Sequence, residues 1–84
     1  MQATLKVAAR TQESGEPAVQ LEVVFAGFLE PCLFELLQDG GVIESNGTGR
    51  FTVREPGSYL VIIHDAMGKG TDTNQVDLVE GWFA

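Results

Sequence analysis

The sequence predicts an all-β fold, an antiparallel β-sandwich of about seven short strands. Three observations carry this reading. Apolar and polar residues alternate with a period of two through most segments. Turn-forming residues recur about every 8–12 positions. Pro56-Gly57-Ser58 leads into Tyr59-Leu60-Val61, with the tyrosine two residues ahead of an apolar inward position. That is the layout of a tyrosine corner, in which the phenol bonds to backbone just upstream and anchors the entry to a strand.

Each element follows from its own pattern. In Ala3–Ala9, Leu5 and Val7 share one face and Thr4 and Lys6 the other, which predicts a half-buried strand. Gln12–Pro17 is polar around Gly15 and reads as a turn. Ala18–Phe25 alternates again, with Val19, Leu21, Val23 and Phe25 inward, and Gly27 ends it. Leu29–Gly40 fits two patterns. Leu29, Cys32, Leu33, Leu36 and Leu37 have helical spacing, with Pro31 suited to a first turn and Gly40 to a C-cap. Cys32, Phe34 and Leu36 also share a strand face, and Asp39-Gly40-Gly41 makes a hairpin turn into Val42-Ile43. The strand-like neighbours favour strand here. Val42–Ser45 is a short strand, and Asn46–Gly49 a turn. Phe51 and Val53 point inward from the next strand. In Ser58–His64, Tyr59, Val61 and Ile63 face one side while Leu60 and Ile62 are also apolar, which predicts a central strand covered on both faces. Asp65–Asn74 reads as a loop, Val76–Glu80 as the closing strand, and Gly81–Ala84 as a short aromatic tail on a single domain spanning 1–84.

Composition narrows the function classes. With 44% hydrophobic and 20% charged residues the chain is globular rather than disordered. The net charge of −7 repels phosphate backbones and argues against nucleic-acid partners. The run Tyr59–Ile63 is too short to cross a bilayer, so no membrane partner is expected. No apolar leader follows a basic start, so the expected setting is the cytosol with release by lysis, or a segment of a longer secreted protein. Cys32 is the sole cysteine, excludes an intrachain disulfide and reads as a small buried hydrophobe.

Phe34–Gly41, Gly49-Arg50-Phe51 and Pro56–Gly68 together resemble bacterial and phage immunoglobulin-like domains, including the PKD-type. The third strand has no tryptophan, and Phe34 stands in for it. The resemblance implies an immunoglobulin-like sandwich with Phe34, Pro56, Gly57 and Tyr59 in structural roles. It also implies a non-catalytic module for adhesion, spacing or decoration of a larger assembly.

The residues offer little chemistry. Asp65, Asp72 and Asn74 are hard oxygen ligands, but the spacing of a calcium loop is missing, and no metal or other cofactor is expected. Met67–Thr71 fails as a phosphate loop, since Lys69 is not followed directly by Ser or Thr. His64 has no second histidine or cysteine near it, and no Ser/His/Asp set stands out, so no enzymatic activity is expected. Asn46-Gly47-Thr48 is a sequon that reads as a turn. Binding is expected from the loop between the last two strands, through Met67, Lys69, Thr71, Asp72 and Asn74. Trp82 and Phe83 either fold back as a lid or anchor a partner. Leu60 and Ile62 lie under an edge loop or mark an oligomer face. The expected role is a phage virion protein, a capsid decoration or tail accessory subunit that binds other virion subunits, with self-association as a further option. The alternative is an adhesion or carbohydrate-binding module of a bacterial surface protein, at the cell surface or outside the cell.

Overall fold

The computed structural model describes residues 2–84, so the domain boundary read at Met1 lies outside the described residues. The chain is an all-β sandwich of two antiparallel sheets. Its strands are β1 (Gln2–Glu13), β2 (Glu16–Ala26), β3 (Leu33–Gln38), β4 (Gly41–Asn46), β5 (Arg50–Val53), β6 (Gly57–His64), β7 (Gly70–Asp72) and β8 (Val76–Leu78), followed by a 3-10 turn over Glu80–Phe83. One sheet has the order β1-β2-β5, and the other the order β4-β3-β6 with β7 and β8 both on the far edge of β6. The first, second and fifth strands thus face the third, fourth, sixth, seventh and eighth.

The first hairpin is longer than its alternation suggests. The turn narrows to Ser14-Gly15, both left-handed (φ 53° and 80°), and pairing runs out to Glu13–Glu16. Two consecutive left-handed residues make a type I′ turn, whose twist matches that of the strands it joins. The outer residues are polar because the tip projects beyond the core. At twelve residues β1 extends about 40 Å at ~3.3 Å per residue, and the molecule's longest dimension is 40 Å. Ala8 is a bulge between the Val7 and Ala9 pairs, which moves the later residues of β1 to the opposite face.

Residues 33–38 are strand, not helix, because Asp39-Gly40 forms a second such turn (φ 51° and 89°) and pairs β3 with β4. Phe34 and Leu36 enter the core, whereas Cys32 lies just before the strand and is only half-buried. The core is shared by both sheets: Leu5, Val19, Leu21, Val23, Phe51 and Val53 from one, and Phe34, Leu36, Tyr59, Val61, Ile63 and Leu78 from the other. Gly49 lies against Phe34, where an added Cβ would come within 3.3 Å of the ring, and its φ of 74° is left-handed. A side chain there meets both obstacles.

β6 is central, as its apolar run predicts, with β3 on one edge and β7 and β8 on the other. Its outer face is not covered, however; Leu60 and Ile62 remain half-exposed. The closing strand read over Val76–Glu80 is β8 and ends at Leu78, and the eighth strand, β7, lies within Asp65–Asn74, which the pattern predicts to be loop. Between β7 and β8, buried Thr73 keeps the ladder continuous. Its N–H donates to the Val61 carbonyl at 2.8 Å and its hydroxyl accepts from the Val61 N–H at 3.0 Å.

The tyrosine corner is formed. Tyr59 is fully buried and its phenol donates to the Glu55 carbonyl at 2.5 Å. Pro56 and Gly57 lie at the same corner. The Pro56 carbonyl accepts from Gln38 Nε2 at 3.2 Å, and the Asp39 carboxylate accepts from the Ser58 N–H at 3.0 Å. Burial, then the nearby carboxylates of Glu55 and Asp39, push the Tyr59 phenol up to about 12. Between the ordinary value near 10 and about 12 the unfolded chain ionises while the folded chain keeps its proton. Stability is therefore expected to fall across pH 10–12, by up to ~1.4 kcal/mol per pH unit from this group. Tyr59→Phe should cost about 1–2 kcal/mol at neutral pH, because the Glu55 carbonyl loses its partner, and should remove this share of the alkaline slope. Denaturant unfolding of both proteins from pH 8 to 12 checks this; parallel curves would rule it out.

Candidate functional site

β6 has two ends, and the chain's loops sort onto them. Its His64 end pairs with Leu33 and Gly70, which places the 27–32 loop and the 65–69 loop there together. Its Gly57 end pairs with Leu78, which places the 54–56 connection and the C-terminal turn at the opposite end. The binding residues read from the sequence therefore fall in three places. Met67 and Lys69 lie at the His64 end, Trp82 and Phe83 at the Gly57 end, and Thr71, Asp72 and Asn74 along the edge between them.

The His64 end is a built structure. The Asp65 carboxylate accepts from the N–H groups of Met67 and Lys69 at 2.9 and 3.0 Å, and the Gly68 N–H donates to the Asp65 carbonyl at 2.9 Å. One side chain thus organises the whole turn, and it turns inward to the loop's own amides. The Ala66 N–H donates to the Leu29 carbonyl at 2.9 Å and ties the two loops into one surface. On that surface Met67 is 74% exposed, Leu29 55% and Leu33 47%. Apolar side chains this exposed, on a backbone held by hydrogen bonds, have the character of a docking face. The sequence reading found Met67 and Lys69 but missed Leu29 and Leu33, which it placed within a continuous strand or helix. The available signal was an apolar residue on each side of Pro31.

Asn74 and the two tail aromatics have structural partners, and Thr71 and Asp72 sit in the β6–β7 ladder. Asn74 Oδ1 accepts from the Leu5 N–H at 2.8 Å, and Asn74 Nδ2 donates to the Leu5 carbonyl at 3.1 Å. Its amide thus presents to β1 what a neighbouring strand would, and links the two sheets. Thr71 stands opposite Ile63 on the inward side, and Asp72 opposite Ile62 on the outward side. Trp82 and Phe83 pack against the core, half-buried, so the tail folds back. Arg10 Nη2 donates to the Ala84 carbonyl at 3.5 Å and reinforces that arrangement.

The polar groups with chemical potential are also engaged. His64 Nε2 contacts Glu35 Oε1 across the outer face of the sheet. Burial, then the carboxylates of Glu30 and Asp65, push the Cys32 thiol up, which lowers its thiolate fraction and its reactivity. Asn46 of the sequon accepts from the Thr48 and Gly49 N–H groups and donates to the Arg50 carbonyl at 2.8 Å, so its amide holds the turn. Among the described residues, no group of three or more His, Cys, Asp and Glu side chains is placed to hold a metal ion. No helix is long and apolar enough to cross a membrane. Comparison with protein-family models, curated proteins and solved structures gives no match.

Asn74→Ala is expected to destabilise the protein by about 1–3 kcal/mol, since both Leu5 backbone groups lose their partner. It should also accelerate hydrogen exchange at the Leu5 amide more than at Leu21 in the middle of the neighbouring ladder. Native-state exchange measured by NMR tests this. Unchanged protection at Leu5 would mean that the clasp contributes nothing in solution.

Proposed function

We propose that this chain is a non-catalytic binding module that docks a protein partner through its His64 end, and that the partner is a structural subunit of a phage particle. The observation that carries the docking reading is the convergence of exposed Leu29 and Met67, on two loops joined by a backbone hydrogen bond, with exposed Leu33 at the adjoining end of β3. The phage assignment rests on the resemblance of Phe34–Gly41, Gly49–Phe51 and Pro56–Gly68 to immunoglobulin-like domains of bacteria and phages. A binding role without catalysis is supported by the engagement of His64 with Glu35 and by the raised thiol of Cys32. An aromatic surface for sugar stacking has less support. The rings of Phe34, Phe51 and Tyr59 are buried, and those of Phe25, Phe28, Trp82 and Phe83 are half-buried.

The test is co-sedimentation of the purified chain with phage heads and tails assembled without it. Wild-type protein should pellet with one of the two. Leu29→Asp/Met67→Asp should bind at least about tenfold more weakly, because both changes place charge at the centre of the contact. Both positions are exposed, so an unchanged circular dichroism spectrum is expected. A folded variant that pellets like wild type would overturn the docking face. Wild-type protein that stays in solution with both particles would overturn the phage assignment.

A further inference from the structure

The Lys and Arg residues on the chain's strands are confined to one of its two sheets. Lys6, Arg10 and Arg50 lie on the three-stranded sheet, and Arg54 directly follows β5. Lys6 and Arg50 flank Glu22 at 3.6 and 3.4 Å, and Arg54 pairs with Glu13. The strands of the other sheet carry neither Lys nor Arg. Lys69 directly precedes β7, in the loop at one end. The pairing of this sheet places Leu37, Val42, Leu60 and Ile62 on its outward face, with Val42 56% exposed. On the same face Asp72 lies opposite Ile62, Asp77 opposite Ser58, and Glu35 opposite Ile62 from the other side. Glu35 meets His64, and Asp77 accepts from Ser58 Oγ and Gln75 Nε2, both at 2.8 Å. Among the described residues, neither Asp72 nor Asp77 takes part in an ion pair.

We propose that the outward face of the five-stranded sheet is a second docking surface, which adjoins the His64 end at Leu33 and Glu35, and that it receives a protein segment with apolar side chains flanked by Lys or Arg. The apolar stripe supplies the contact area, and the carboxylates set the sign of the partner. A second copy docked through this same face would set Asp72, Asp77 and Glu35 against like charges, which disfavours self-association there. The three-stranded sheet of another copy is a poor match too, because Glu22 and Glu13 already engage its Lys6, Arg50 and Arg54, and Arg10 is turned to the Ala84 carbonyl.

Synthetic peptides of alternating sequence test this directly, with amide NMR shifts of the full chain as the readout. A Lys/Leu peptide should bind and perturb Leu37, Val42, Leu60, Ile62 and Asp72. A Glu/Leu peptide should not bind, and a Lys/Ser peptide of equal charge should bind more weakly. Asp72→Lys/Asp77→Lys should weaken Lys/Leu binding by about tenfold or more. Glu16→Lys at the hairpin tip and Leu29→Asp/Met67→Asp should leave it unchanged, which separates this surface from the other. Four outcomes would overturn the proposal: no binding of the Lys/Leu peptide, shifts centred elsewhere, equal loss in Glu16→Lys, or a concentration-dependent dimer whose contacts map to this face.

Discussion

The buried phenol of Tyr59 and its bond to the Glu55 carbonyl decide where β6 begins, and β6 is the strand on which the second sheet is assembled. A hydroxyl taken out of water needs a partner. Here the partner is backbone four residues upstream, so the crossing from β5 on one sheet to β6 on the other is fixed to the residue. From that corner the inward series Tyr59, Val61 and Ile63 follows by alternation, and all three are fully buried. A slip of one residue would turn Leu60 and Ile62 into the core and Tyr59 out to solvent. Three further strands take their register from this one on either edge.

The same corner gathers the neighbouring turn. Asp39 reaches β6 through both its carboxylate and its backbone N–H, the latter donating to the Ser58 carbonyl at 2.8 Å. The type I′ turn that closes the third and fourth strands is thus also a brace for the sixth. Local turn chemistry and long-range packing agree here, which is the consistency expected of a well-specified fold. The bottom of the sandwich is held by polar contacts around one apolar ring, and the tail residues Trp82 and Phe83 add cover at that end.

Most of the fold was legible because alternation with a period of two is a local signal. The inward sets Val19–Val23, Phe51–Val53 and Tyr59–Ile63 could be read without knowing what lay opposite them. Two features of the fold escaped, one because its pattern lacks an apolar face and one because it depends on distant partners. The long tip of the first hairpin is polar on both faces and therefore resembles a loop, although its ladder is intact. The break between β7 and β8 depends on Thr73 and Asn74 meeting Val61 and Leu5, which are remote in sequence. The candidate site was legible only in part, for a related reason. Met67 stands beside glycine in an evident loop, but the exposure of Leu29 and Leu33 depends on how two loops meet at one end.

The Asn74 clasp has a further consequence for β1. This strand lies at the edge of its sheet, and an exposed row of backbone donors and acceptors is a template for another extended chain. At Leu5 both outward groups are already taken by the Asn74 amide. An incoming strand that zips along β1 meets an occupied rung and a side chain in its path, so the ladder cannot run unbroken through that position. One asparagine therefore joins the two sheets and also guards an edge against cross-molecule strand pairing, the contact from which fibrillar aggregation starts.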